Sequence, residues 1–167
     1  MASWLSLPAL LLAALLQVTF MPQIRILGGA PDLVFLLVIA WSIRANLDSG
    51  VVWAFVGGVL IDLLSSAPTG ATSLALIPIV FAVNQVERQF YGIRFLVVIS
   101  AVLLGTIFVH VVVGLVVAAA GFQTLSADNF TFVVLPTMAY NLVFIGPVYW
   151  LVRRIQRRVM RDDRVFS

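Results

Sequence analysis

Of the 167 residues, 62% are hydrophobic and only 10% charged, and the mean hydropathy is +1.13; a soluble domain averages roughly 45–50% apolar and about 25% charged residues, so water is excluded as the solvent for most of this surface. The absence of cysteine rules out disulfides, thiolate metal sites and thiol nucleophiles. The pI of 10.2 would suit nucleic acid, but all ten cations are Arg and six crowd between Arg153 and Arg164, which argues for a membrane topology signal instead.

Charges and turn residues mark off six apolar segments. The first, Leu5 to Met21, has no Arg or Lys before Arg25 and no small-residue cleavage site, so it is expected to be a retained span and not a signal peptide. The second, Asp32 to Ile43, opens after Pro31, a favourable first-turn residue, and stops at Arg44. About a dozen apolar residues fall short of the roughly 20 that a bilayer requires, so this segment either crosses a thinned membrane or is re-entrant. The third, Val51 to Leu64, closes in the turn-like Ser65-Ser66-Ala67-Pro68-Thr69-Gly70. The fourth runs from Ala71 to Val86, the fifth from Phe95 to Ala120, and the last from Phe130 to Val152. All are expected to be helices, because backbone in lipid must satisfy its own hydrogen bonds, and the alternation of a barrel strand is missing. Pro78, Pro136 and Pro147 are expected to kink or start helices.

Six spans with both termini inside place nine of the ten arginines on the cytoplasmic side and leave Arg25 outside. Trp4, Trp41, Trp53 and Trp150 then fall near the cytoplasmic ends of their segments, where an amphipathic indole prefers to sit. The expected organisation is one transmembrane domain over 1–152 and a basic cytoplasmic tail over 153–167. In that tail Arg153, Arg154, Arg157, Arg158 and Arg161 share one side of a helix and Val152, Ile155 and Val159 the other, as in an amphipathic helix on the membrane surface. A plain stop-transfer signal and a docking site for a cytoplasmic protein fit the same charges.

Ionisable residues within spans need a reason. Asp32 and Asp62 fall towards the outer ends of segments two and three, beside Pro31, Pro68 and Gly70. They either form a two-carboxylate site or hold backbone: Asp32 at its own helix start, and Asp62 through the Ser65–Thr69 turn. His110, the single histidine, has Thr106 one turn before it and reads as a packing residue, with a proton relay as the sharper alternative. Gly57-Gly58 is expected to let another backbone approach segment three closely, and Ala9 and Ala13 form a small-xxx-small pair. No metal, cofactor or catalytic set emerges, so no enzyme is expected.

Two stretches together, Ala30-Pro31-Asp32-Leu33 and Gly57-Gly58-Val59-Leu60-Ile61-Asp62-Leu63-Leu64-Ser65-Ser66-Ala67-Pro68-Thr69-Gly70, make the chain resemble the rod shape-determining protein family MreD. The resemblance implies a multi-pass subunit of the bacterial cytoplasmic (inner) membrane, without catalytic residues, within the cell-wall elongation complex. It implies binding to an MreC-like periplasmic membrane protein and work alongside a RodA-type glycan polymerase, a transpeptidase and the filament protein MreB. It also implies a fold similar to the substrate-capturing subunits of energy-coupling-factor vitamin transporters. That fold supplies the alternative function, a small-molecule binder docked on an ATPase module, with Asp32, Asp62, Asn84, His110, Tyr140 and Asn141 as the few polar anchors. A lipid-handling or proton-coupled carrier is a third possibility. In the leading reading Pro31, Asp32, Leu33, Gly57, Gly58, Asp62, Pro68 and Gly70 shape the helix ends or meet partners.

Overall fold

Six helices stand where the apolar segments predict them. The computed structural model describes residues 2–24, 28–43, 45–65, 68–89, 94–121 and 127–162. Among these, the elements are α1 (Ala2–Thr19), a 3-10 turn (Met21–Ile24), α2 (Leu33–Ser42), α3 (Leu47–Leu64), α4 (Ala71–Gln89), α5 (Arg94–Ala119) and α6 (Ala127–Asp162). Three stretches, Leu47–Leu64, Phe95–Ala119 and Thr131–Gln156, are long and apolar enough to cross a membrane. Pro78, Pro136 and Pro147 lie inside helices and start none of them. Arg25, Arg44 and Arg164 lie outside the described residues.

The molecule is apolar outside and polar at selected points inside. Phe95 is 76% exposed and Val143 71%, whereas Asp62, Thr106 and Asn141 are at most 1% exposed. Water would penalise such an outer surface, and lipid does not. The all-helical architecture and its three long apolar helices are those of a membrane protein, and helix faces are sorted by packing, since lipid tails and side chains are equally apolar.

The short α2 is the centre of the bundle. Val34, Phe35, Leu36, Val38, Ile39, Ala40, Trp41 and Ser42 are all buried, and α2 touches each of the other five helices. Ten residues rise only about 15 Å, half the hydrocarbon thickness. The approach to α2 is extended chain laid against α6. Gly28 lies beside Phe132 and Val133, Gly29 beside Pro136 and Thr137, and the Asp32 backbone N–H bonds Asn141. At 1.5 Å per helical residue, that descent covers about 13 Å of α6. Non-helical backbone is tolerated there because protein covers it: Gly29 and Pro31 are both buried.

The helix α6 is continuous through Arg153, so the boundary expected between 152 and 153 falls inside a helix. Val152 and Gln156 are buried, and the Gln156 Nε2 reaches the Trp41 carbonyl at 3.4 Å, tying α6 to the end of α2. The pairs 32 with 141 and 41 with 156 show that α2 and α6 run in the same direction.

Candidate functional site

Asp32 is the N-cap of α2. Its Oδ1 accepts from the Phe35 N–H at 3.1 Å, satisfying one of the orphan donors of the first turn. The next donor, Val34 N–H, goes to the Gln17 side chain of α1 at 3.0 Å. Asn141 of α6 joins the same point: its Oδ1 accepts from the Asp32 N–H at 2.9 Å, and its Nδ2 donates to the Thr106 hydroxyl at 3.0 Å. Thr106 in turn donates to the Val102 carbonyl at 2.7 Å, and its own carbonyl lies 2.8 Å from the His110 Nδ1. Four helices thus meet in one polar network, level with the midpoint of α5. The sequence singled out Asp32, Asn141, Thr106 and His110 separately. The structure brings them together and adds Gln17, whose polarity near the end of an apolar segment was the available signal.

Asp62 is buried at the end of α3 and serves a different helix. Its carboxylate accepts from the Gly70 N–H at 2.7 Å and from the Thr72 N–H at 3.1 Å. It therefore caps α4 from across the turn, and the donors lie just beyond the Ser65–Thr69 stretch expected to supply them. Gly70 has φ +98, a conformation that an L side chain adopts only with strain, and this turns its N–H onto the carboxylate. Pro68 contributes its carbonyl, which accepts from the Ala71 N–H at 3.1 Å. Asp32 and Asp62 have separate partners, and among the described residues no group of three or more His, Cys, Asp or Glu could hold a metal.

The glycine pair works on two sides at once. A Cβ on Gly58 would lie 2.4 Å from the Ser73 backbone nitrogen, so α3 and α4 are in near backbone contact there. The nearest atoms to a Cβ on Gly57 would belong to side chains, Val34 and Val38 on α2 and Leu10 on α1. Pro31 is buried, and Leu33 packs against the core beside them.

A model of the family described as rod shape-determining protein MreD matches residues 1–159. The chain belongs to the MreD family. No curated protein and no solved structure matched. Membership supports a role in determining rod shape, association with a shape-determining complex and, with the long apolar helices, a membrane location. The family is one of shape-determining structural proteins.

Two expectations about other residues change. Trp41 and Trp53 are each 3% exposed and stack on one another with centroids 4.1 Å apart, so they are core residues and not headgroup anchors. The Trp41 Nε1 donates to the Ser49 hydroxyl at 2.9 Å. Trp150 keeps the exposure expected of an interfacial residue, with the Arg154 guanidinium 5.4 Å from its ring centroid. Arg153 and Arg154 are exposed, whereas the side chains of Trp4, Arg157, Arg158 and Arg161 lie outside those described. Ala13 is buried and Ala9 packs against the core, so the small pair of α1 is used within the bundle.

Proposed function

We propose that this chain is a non-enzymatic membrane scaffold of the cell-wall elongation complex, binding an MreC-like periplasmic membrane protein and helping to hold the rod shape. The observation that carries the reading is the fate of the intramembrane polar groups. Asp32, Thr106 and Asn141 are bonded to one another across helices, Gln17 to the backbone of α2, and Asp62 to the backbone of α4. A vitamin binder needs polar anchors converging on a pocket. A cleft of about 610 Å³ between α4 and α5 is lined mostly by apolar residues such as Pro78, Ala82, Ala101, Leu104 and Phe108. The Ala9–Ala13 pair, which would have suited docking on a transporter module, faces the molecule's own core. RodA-type polymerase, transpeptidase and MreB are the further partners of this reading, at the bacterial inner membrane.

The test is a native pull-down of the tagged chain in mild detergent, read by mass spectrometry. Recovery of an MreC-like protein, with or without the wall synthases, is the expected result. Recovery of paired ATPases with a membrane coupling protein would instead make the chain a transporter subunit.

A further inference from the structure

The cleft between α4 and α5 has a buried floor and an exposed rim. Ile79, Val83 and Val97 are buried, whereas Val86, Leu104 and Phe108 are exposed. Helix α2 backs the floor, since a Cβ on Gly105 would come within 2.8 Å of the Phe35 ring. On α4 the lining runs from Pro78 to Val86, about 12 Å of helix. One leaflet supplies about 15 Å of hydrocarbon, whereas a spanning helix needs about 30 Å. The two-walled part of the cleft therefore matches a single acyl chain better than a helix. Charge gathers at one end of it. Val86 and Val97 line the cleft where α4 gives way to α5, and Arg88 and Arg94 lie just beyond them. Arg88 is exposed in the last turn of α4, next to Glu87. Arg94 opens α5, and Val97, Ala101, Leu104 and Phe108 follow it at intervals of three or four residues, so it stands at the register of the cleft wall. The apolar stretch of α5 starts at the next residue, Phe95, which sets Arg94 at headgroup level. Two arginines and one carboxylate leave this end with a net charge of +1.

We propose that this cleft holds one acyl chain of an anionic phospholipid whose headgroup is bound by Arg88 and Arg94. Basic sites between transmembrane helices at headgroup level are a recurrent seat for such lipids. Arginine suits a phosphate because its planar fork can donate two hydrogen bonds at once. The lining below is apolar but for Ser100, whose hydroxyl donates to the Val97 carbonyl at 3.1 Å, so it suits a hydrocarbon chain and not a polar solute. Its volume of about 610 Å³ lies within the range of about 300–1,000 Å³ common to ligand sites. The proposal rests on the membrane setting of the bundle and not on the identity of any partner. It is tested on the purified chain, so its failure is distinguishable from failure of the scaffold reading.

The test places the full chain in nanodiscs of mixed phosphatidylcholine and phosphatidylglycerol, with a trace of phosphatidylglycerol carrying a photoreactive diazirine along one acyl chain. After irradiation, mass spectrometry of the digested chain locates the labelled residues. The C-terminal arginines attract the same headgroups, so the position of the label is the readout and not the total lipid. Labelling should concentrate on the lining of α4 and α5, and added unlabelled phosphatidylglycerol should suppress it where phosphatidylcholine does not. Arg88→Gln/Arg94→Gln should lower labelling there on the order of tenfold. Ala82→Leu/Ala101→Leu fills the cleft, leaves both arginines in place, and should lower labelling as well. If that variant does not fold, Ala82→Leu alone replaces it, at an exposed position. Label spread evenly over α1, α5 and α6, equal competition by phosphatidylcholine, or labelling unmoved by either pair of substitutions would each overturn the proposal. In cells, a photoreactive residue in place of Leu104 that joined the chain to a second copy or to another protein would give the cleft to a helix, and would overturn it equally.

Discussion

Asp62 shows what a single carboxylate does in this molecule. Its oxygens take the Thr72 N–H, which is buried, and the Gly70 N–H, which is partly buried. Asp62→Ala would leave the buried Thr72 donor unpaired, worth roughly 1–3 kcal/mol, and the partly buried Gly70 donor with it, so a loss of about 1–3 kcal/mol is expected. Asp62→Asn keeps one acceptor and should lose about half as much. Thermal or SDS-induced unfolding of the purified chain measures both, and equal stability of the wild type and Asp62→Ala would refute the capping role. Gly58 and Gly57 make a second contrast between neighbours. Gly58→Ala pushes a methyl into the Ser73 backbone, and overpacking of this kind costs about 1–3 kcal/mol. Gly57→Ala meets side-chain methyls at 2.9–3.5 Å and not backbone, so the two variants should differ in unfolding midpoint, with Gly58→Ala the weaker. Tolerance of both would mean that α3 and α4 can separate without loss.

At the scale of elements, α2 and α6 depart furthest from a simple row of spans. Helix α2 is half as long as a span because its first half is replaced by extended chain against α6, and Asp32 marks the change. Hydropathy alone left this segment short without saying where it lay. Helix α6 is longer than a span, continuing through Arg153 as Val152 and Gln156 still have α2 to pack against. Its arginines therefore extend a helix anchored in the bundle. We expect Arg153, Arg154, Arg157, Arg158 and Arg161, all replaced by Gln, to reduce co-purified anionic lipid severalfold, since each Arg near such lipid contributes roughly 1 kcal/mol. Phosphate analysis of the detergent-purified variant reads this. Unchanged lipid, together with a cytoplasmic reporter fused after Ser167, would remove any recruiting role for these residues.

For the whole molecule, the solvent was legible in composition: no arrangement of 62% hydrophobic residues in a chain of this size gives a soluble surface. The family was legible too, because the two motifs have a joint spacing that apolar sequence does not produce by chance, and the match extends over residues 1–159. Helix number and type followed from apolar runs and their breakers, which are local properties. The chain could not reveal which helix was central, because an apolar helix in lipid carries no one-sided pattern; α2 is buried almost throughout and α5 only in part, although both are strongly apolar. Nor could it reveal that Gln17, Asp32, Thr106, His110 and Asn141, drawn from four helices, share one network. Sequence determines which groups cannot be left alone in lipid, since that is a property of each residue. Tertiary structure decides which of them satisfy one another, since that depends on where separate helices cross.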